Sequence, residues 1–268
     1  MEKHTPGVYV DRKKDNSIYY RASLTFRRKH ISLGGFAKEE QAHDAYLEAR
    51  RLLFDEEITL LSYEETSPLS FDKWVSLLNF RDNGMYLVNP IYILRKMFYY
   101  YLTPDDILKF DADDLFYYSS HKIMRRGSHL FVADYGMQVN IHSRYGIRSH
   151  AVVGRDYRFL NGDTMDYRST NLEIINRYYG VTKVLKSGTI MYRAVIHVKG
   201  NFVIGTYEHE AEAAIAYNKA VDLLKKNGYS KKYAINYIDG ISEDDYGKCY
   251  QKVKISKNLH ALTSPNSQ

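Results

Sequence analysis

Apolar residues recur along residues 42–53 at intervals i, i+3, i+4, i+7, i+10 and i+11, as Ala42, Ala45, Tyr46, Ala49, Leu52 and Leu53. This is one stripe at the 3.6-residue period, and it predicts an amphipathic helix whose mostly small residues let it lie close to its partner. Glu39 and Glu40 fill its first turn, which suits the helix dipole. Ahead of it the pattern changes to short alternating segments, predicting strands at 7–11, 18–26 and 29–34 with turns at Asp15-Asn16 and Arg27-Arg28. The same order returns near the other end: strands near 180–185, 190–198 and 201–206, turns at Ser187-Gly188 and Lys199-Gly200, then a stripe of Ala213, Ala216, Tyr217, Ala220, Leu223 and Leu224 behind Glu210 and Glu212.

These are two copies of one unit. Gly7-Val8, Tyr20-Arg21-Ala22 and Leu33-Gly34-Gly35-Phe36 match Gly180-Val181, Tyr192-Arg193-Ala194 and Ile204-Gly205-Thr206-Tyr207, and the offset drifts only from 173 to 171. Similarity at a nearly fixed offset marks a duplicated supersecondary unit, here three antiparallel strands backed by one helix. Alternation assigns the faces. Ala22, Leu24, Phe26, Ile31 and Leu33 point to the helix, leaving Arg21, Ser23, Thr25, His30 and Ser32 outside. In the second copy Ala194, Ile196 and Val198 point inward, and Arg193, Val195 and His197 outward.

Between the copies, Phe71 to Phe80 and Ile91 to Leu102 read as helical or mixed apolar stretches. Aromatic runs such as Tyr99-Tyr100-Tyr101 and Phe116-Tyr117-Tyr118 are expected to pack as core. Asn161-Gly162 is a strong hairpin signal, and Asp166 is placed to cap a helix after it, which predicts a ββα element. Ser242, followed by Glu243, Asp244 and Asp245, predicts a short C-terminal helix; residues 258–268 read as disordered. The expected organisation is α+β: a first sheet-plus-helix module at 6–55, a helical aromatic-rich region at 56–126, the ββα region at 127–178, a second module at 179–238, and a C-terminal helix and tail at 239–268.

Composition sharpens this picture in two places. The formal charge is +6 over 268 residues, but residues 1–55 carry 11 basic against 8 acidic groups, 56–179 carry 14 against 16, and 180–268 carry 13 against 8. Within the copies, the positive charge lies on the strands and the acids on the helices, which favours the sheets as polyanion-binding surfaces. Of the 26 tyrosines, 14 fall in 56–179, where packing accounts for them. The single cysteine, Cys249, excludes a disulfide framework and a cysteine-based zinc site, and fits a reducing compartment. No apolar run approaches a membrane span and the first residues lack a signal core, so a soluble intracellular protein is expected.

The repeated pattern (Gly-Val, aromatic-x-Ala, Leu/Ile-Gly-x-aromatic, Ala-Tyr-x-x-Ala) resembles the APETALA-two/ethylene-response-factor DNA-binding domain of plants, whose bacterial relatives often accompany HNH nucleases. The resemblance covers residues 6–54 and 179–238, about 40% of the chain. It implies that the sheet enters the major groove of double-stranded DNA. The residues it nominates are Arg12, Lys13, Lys14, Arg21, Ser23, Thr25, Arg27, Arg28, His30 and Ser32 in the first module, and Lys183, Lys186, Arg193, His197, Lys199 and Asn201 in the second. Arg21 and Arg193 would approach bases, and most of the other cations would neutralise phosphates. The family's tryptophans are absent: Tyr20 and Tyr192 hold the middle-strand position, Ser32 and Val203 the third-strand position. Val195 and Val203 suit thymine methyls better than phosphates.

Residues 158–172 resemble the HNH nuclease core through Asn161, Gly162, Asp163, Asp166, Arg168, Asn171 and Leu172. Such a nuclease needs a metal-binding aspartate and a general-base histidine. Those positions fall on Arg158 and Phe159, and the later ligand falls near Gly180. Arginine repels a metal ion and phenylalanine accepts no proton, so the expectation is a nuclease-like scaffold that does not cut, with no catalytic residue, metal or cofactor. Asp156 is the nearest replacement ligand; His142, His150 and Asp134 also lie nearby in sequence. The function expected is sequence-specific binding of double-stranded DNA, in transcriptional or mobile-element regulation. The alternatives are a metal-dependent endonuclease with displaced ligands and a protein-interaction module built on the aromatic middle.

Overall fold

The computed structural model describes residues 5–262. They form two compact units, one of residues 5–141 with 163–171, the other of residues 142–162 with 172–262. The architecture is α+β, with several small antiparallel sheets and helices.

The first unit opens with β1 (Val8–Arg12), β2 (Ile18–Phe26), β3 (Lys29–Phe36) and α1 (Glu39–Phe54), and the three strands pair in sequence order. Ala42, Ala45, Ala49 and Leu52 of α1 are fully buried against Ala22, Leu24, Ile31 and Leu33 of the sheet. The close approach expected of an alanine stripe is therefore realised. Helix α2 (Phe71–Asn83) extends this core with Trp74, Leu77 and Leu78. Ser70 caps it by accepting from the Lys73 N–H, and Gly84, at φ 72°, ends it. Arg81 donates to the carbonyls of Leu52, Asp55 and Ile58, satisfying acceptors at and beyond the end of α1.

Residues 91–102 are not helical. They contribute β4 (Ile91–Ile93) and β5 (Met97–Tyr101), joined by β6 (Ile107–Asp111) in a second three-stranded sheet. Aromatic and β-branched residues favour extended backbone, and Phe98 and Tyr100 bury one face of β5 beside Leu108 and Phe110 of β6. Tyr118, on α3 (Leu115–Ser120), stacks on Phe110 with ring centroids 4.3 Å apart. Tyr100, Tyr101 and Tyr118 are core, as the pattern predicts; Tyr99 and Tyr117 are half-buried, and Phe116 is 89% exposed, against that expectation, because the short α3 turns it to the surface. A third sheet, β7 (Ile123–Arg126), β8 (His129–Asp134) and β9 (Met137–Asn140), follows.

In the second unit, β10 (Tyr157–Phe159) pairs with β11 (Leu172–Ile174), then come β12 (Val181–Lys186), β13 (Thr189–His197), β14 (Asn201–Tyr207) and α4 (Glu210–Lys226). The predicted ββα element is absent. Asn161-Gly162 starts a turn, with the Gly162 N–H bonded to the Phe159 carbonyl, but the chain does not return until Leu172. Asp166 caps no helix; its carboxylate accepts from Nε and Nη2 of Arg168 at 2.8 and 2.6 Å. The carbonyls of Asp163 and Asp166 are held by the Asn171 side chain, so residues 163–171 form a self-braced loop. This loop pairs with β6 through Lys109, whose N–H and C=O bond Met165 and Tyr167 at 2.9 Å each.

The C-terminal segment is not a detached tail. Helix α5 (Glu243–Lys252) starts at the Ser242 cap as expected, and α6 (Lys257–His260) follows it. Ile238, Val253 and Leu259 belong to the same core as α4 and the last sheet. The Ser256 N–H bonds the Ile204 carbonyl at 2.8 Å, covering part of edge strand β14. Residues 258–262 are thus packed rather than disordered; 263–268 lie outside the described residues.

Candidate nucleic-acid interface

The two sheet-plus-helix modules share details beyond strand order. In each, the pairing of the middle and third strands shifts at the same place, between Ala22 and Ser23 and between Ala194 and Val195, because the third strand bulges by one residue, Leu33 or Ile204. The middle-strand N–H just after this shift bonds a glycine carbonyl: Ser23 to Gly7 at 3.0 Å, Val195 to Gly180 at 2.7 Å. Both glycines have positive φ, 77° and 68°, and the ring of Tyr46 or Tyr217 occupies the space a Cβ would need. The Gly-Val and Ala-Tyr-x-x-Ala signatures are thus two sides of one contact.

Register sorts the candidate residues into rows on the face away from the helix. In the first module the rows are Asp11 with Tyr19, Tyr9 with Arg21 and Gly35, Ser23 with Ser32, and Thr25 with His30. Arg21, Thr25, His30 and Ser32 are exposed there; Ser23 is recessed at 8% exposure, in a cleft beside Tyr9 and His30. In the second module the rows are Val184 with Met191, Thr182 with Arg193 and Thr206, Val195 with Val203, and His197 with Asn201. His197 Nδ1 and Asn201 Oδ1 lie 3.0 Å apart.

The two arginines differ in setting. Asp11 Oδ2 accepts from the Tyr19 hydroxyl at 3.0 Å and from Arg21 Nη1 at 3.3 Å. Hydrogen bonds from the Arg12 N–H, the Tyr19 hydroxyl and Arg21 hold the Asp11 carboxyl below its ordinary range, so it stays ionised beside the guanidinium. Arg193 has Val184 and Met191 where Arg21 has Asp11 and Tyr19.

Other nominated cations are placed differently from the expectation. Arg12 pairs with Ile18, and Lys183 with Tyr192, so both lie on the faces that carry Ala22 and Ala194, opposite the central arginines. The alternation that sends Arg21 outward sends them inward, and only their position near the hairpin ends leaves them exposed. Arg27 donates from Nη1 to the Phe80 carbonyl at 3.0 Å, serving the end of α2. Tyr20 and Tyr192 pack against the cores, and the aromatics of the first outer face are Tyr9, exposed, and Tyr19, half-buried. Tyr9 was not among the nominated residues; alternation from the buried Val8 is the signal that places it on this face. Lys13, Lys14, Lys186 and Lys199 are exposed in or beside the turns.

The hairpin turn Arg27-Arg28 has φ 45° and 64° at consecutive residues with a Cβ. Turns of this kind favour Asn-Gly, and the left-handed conformation costs a non-glycine residue about 1–2 kcal/mol. Glycine at the second position removes that strain but adds freedom to the unfolded chain. Arg28→Gly is therefore expected to raise the urea midpoint of the first unit by the equivalent of about 0.5 kcal/mol. A lowered midpoint would show that the Arg28 side chain makes a stabilising contact.

The nuclease-like positions hold structural groups. Arg158 and Glu173 face each other across β10 and β11, with Nε and Oε2 2.6 Å apart, and the Phe159 ring packs edge-on to Tyr157. Asp156 is 2% exposed and is not an open ligand. Its oxygens accept from Arg148 at 2.7 Å, Arg155 at 2.7 and 3.1 Å, and the Val152 N–H at 2.8 Å. Burial pushes the carboxyl up, but the bonds from Arg155 and Val152, with the charge of Arg148, outweigh it and hold the group below its ordinary range. His142 packs edge-on to Tyr157, and Asp134 lies 3.6 Å from His121 Nε2. Among the described residues no group of three or more His, Cys, Asp or Glu side chains is arranged to hold a metal ion, and no helix is long and apolar enough to cross a membrane.

No family model, curated protein or solved structure matches this chain.

Proposed function

We propose that the chain binds double-stranded DNA, reading the major groove with the outer faces of its two sheet-plus-helix modules, in a regulatory role at promoters or mobile elements. The observation that carries the reading is the repetition of one bulged sheet. Twice it presents an arginine from the same place on its central strand, away from its helix. A β-ribbon or sheet fits the major groove, and arginine is the commonest side chain to contact guanine there. Hydroxyl, imidazole and amide groups beside the arginines add hydrogen-bonding capacity for base edges and phosphates: Thr25, His30 and Ser32 in one module, His197 and Asn201 in the other. Lys13, Lys14, Lys186 and Lys199 supply positive charge around these faces. Two readers on one chain gain affinity through effective concentration. In this reading residues 156–174 are scaffold, because Asp156, Arg158 and Asn171 are committed to structural bonds.

The test is selection of duplexes from a random pool, followed by titration of the recovered site. With about six phosphate contacts, affinity should fall about a thousandfold between 50 and 200 mM salt. Arg21→Ala and Arg193→Ala should each relax sequence preference at one position, whereas Lys186→Ala should weaken all sequences alike and flatten the salt slope by about one unit. Failure to enrich any duplex, or affinity independent of salt, would end the proposal.

A further inference from the structure

The two outer faces differ in chemistry although they share a register. Where the first module places Asp11 with Tyr19 and Ser23 with Ser32 on either side of its arginine row, the second places Val184 with Met191 and Val195 with Val203. Val203 is 41% exposed and Val195 and Met191 are half-buried, so the side chains are not committed to the core beneath. The row between them is Thr182, Arg193 and Thr206, all exposed. Residues 180–207 contain no acidic residue; Arg193 and Lys186 lie on this face and Lys199 in the turn beside it, whereas Lys183 lies on the opposite face. This face combines apolar cross-strand pairs with a positive field.

We infer that the second sheet selects thymine through its 5-methyl groups, with Val195 and Val203 as the specificity-determining pair. The inference rests on the DNA-binding reading above and names what this face reads. Three physical points support it. The positive charge and absence of acid suit a polyanion rather than an apolar protein surface. The thymine methyl is the one apolar group that a base edge shows in the major groove. A valine pair directly across two strands offers adjacent methyls at a spacing of about 5 Å between Cβ atoms, enough to enclose one such group. The hydroxyl pair Ser23 and Ser32 at the corresponding place in the first module has no apolar group to offer. The two halves of a bound site should therefore differ in composition, one half carrying a thymine that the other does not require.

The experiment uses the full chain and the duplex recovered by selection. Each thymine in turn is replaced by deoxyuridine, which removes the methyl and keeps every hydrogen-bonding group. At one or two thymines in one half of the site, affinity should fall about fourfold for each methyl, the effect of burying one such carbon. Substitution elsewhere should change nothing. Val203→Ser, which removes both methyls at a half-exposed strand position, should bind thymine and uracil equally at that place. Arg21→Ala should weaken binding while leaving the thymine-to-uracil ratio intact. Equal affinity for thymine and uracil at every position, in a duplex that still binds tightly, overturns this inference and leaves the DNA-binding reading standing. A ratio that persists in both Val203→Ser and Val195→Ser also overturns it, because the methyl is then read elsewhere. If no duplex binds, both readings fall together.

Discussion

Gly7→Ala is expected to destabilise the first unit by about 2–5 kcal/mol, combining about 1–2 for a side chain in the left-handed region with about 1–3 for overpacking. At φ 77° the new Cβ would overlap the Tyr46 ring, whose atoms are the three nearest to that position. Domains are commonly stable by only about 5–15 kcal/mol, so the change takes a large share of the margin. The molecule supplies its own reporter. Its single tryptophan, Trp74, is buried in the core that contains α1 and the first sheet, so its fluorescence follows unfolding of that unit. Gly7→Ala should lower the urea midpoint seen by Trp74. Gly180→Ala, where a Cβ meets both the Tyr217 ring and the Val195 carbonyl, should lower the midpoint seen by circular dichroism. Truncating Tyr46 should recover part of the loss in Gly7→Ala, because the obstacle is a side chain. Truncating Tyr217 should recover less in Gly180→Ala, because the Val195 carbonyl stays. A Gly7→Ala midpoint equal to that of the parent would refute the glycine–tyrosine contact as the reason for the repeated signature.

Asp156→Ala should destabilise the second unit by about 3–5 kcal/mol, the usual effect of removing one partner from a buried ion pair. The change strips Arg148, itself only 14% exposed in its side chain, and also leaves the Val152 N–H without its acceptor. Equilibrium unfolding followed by circular dichroism measures it, and a loss below 1 kcal/mol would mean that water replaces the carboxylate. Acid should act in the same direction. The Asp156 carboxyl titrates below the ordinary 3.8 when folded, so its contribution is fully present above about pH 4. It is lost as the pH falls through the lowered value. At low pH the parent and the variant should therefore converge in stability. A gap between them that widened with acid would give the wrong sign.

Much of the two modules was legible because their constraints are local and periodic. The alanine stripes, the alternating strands and the paired glycines each declare themselves within a few residues, and all agree with one another. Tyr99-Tyr100-Tyr101 was less legible because an unbroken apolar run does not distinguish a buried strand from a buried helix. The signal at Asn161-Gly162 was real but incomplete. It starts a turn, while the bonds of Asp166 to Arg168 and of Asn171 to two carbonyls then hold an excursion that no hairpin rule anticipates. At the candidate interface, alternation found the outward Arg21 and Arg193. The same rule, applied along the outer strands, separates Arg12 and Lys183 from them, which charge counting by segment had concealed. Arg27 lay beyond any local reading, because the carbonyl it serves is 53 residues away.

The loop of residues 163–171 bears on how the chain can be made. It completes the first unit by pairing with β6, yet it follows residues 142–162, which belong to the second unit. As the polypeptide leaves the ribosome from its first residue onward, the first sheet-plus-helix module emerges whole, but Lys109 and Asp111 wait for partners until residue 171 has been added. By then β10 has been exposed for a dozen residues without β11. Neither unit is an uninterrupted stretch of the gene. A recombination with one breakpoint can transplant the first module intact, but it cannot transplant either unit.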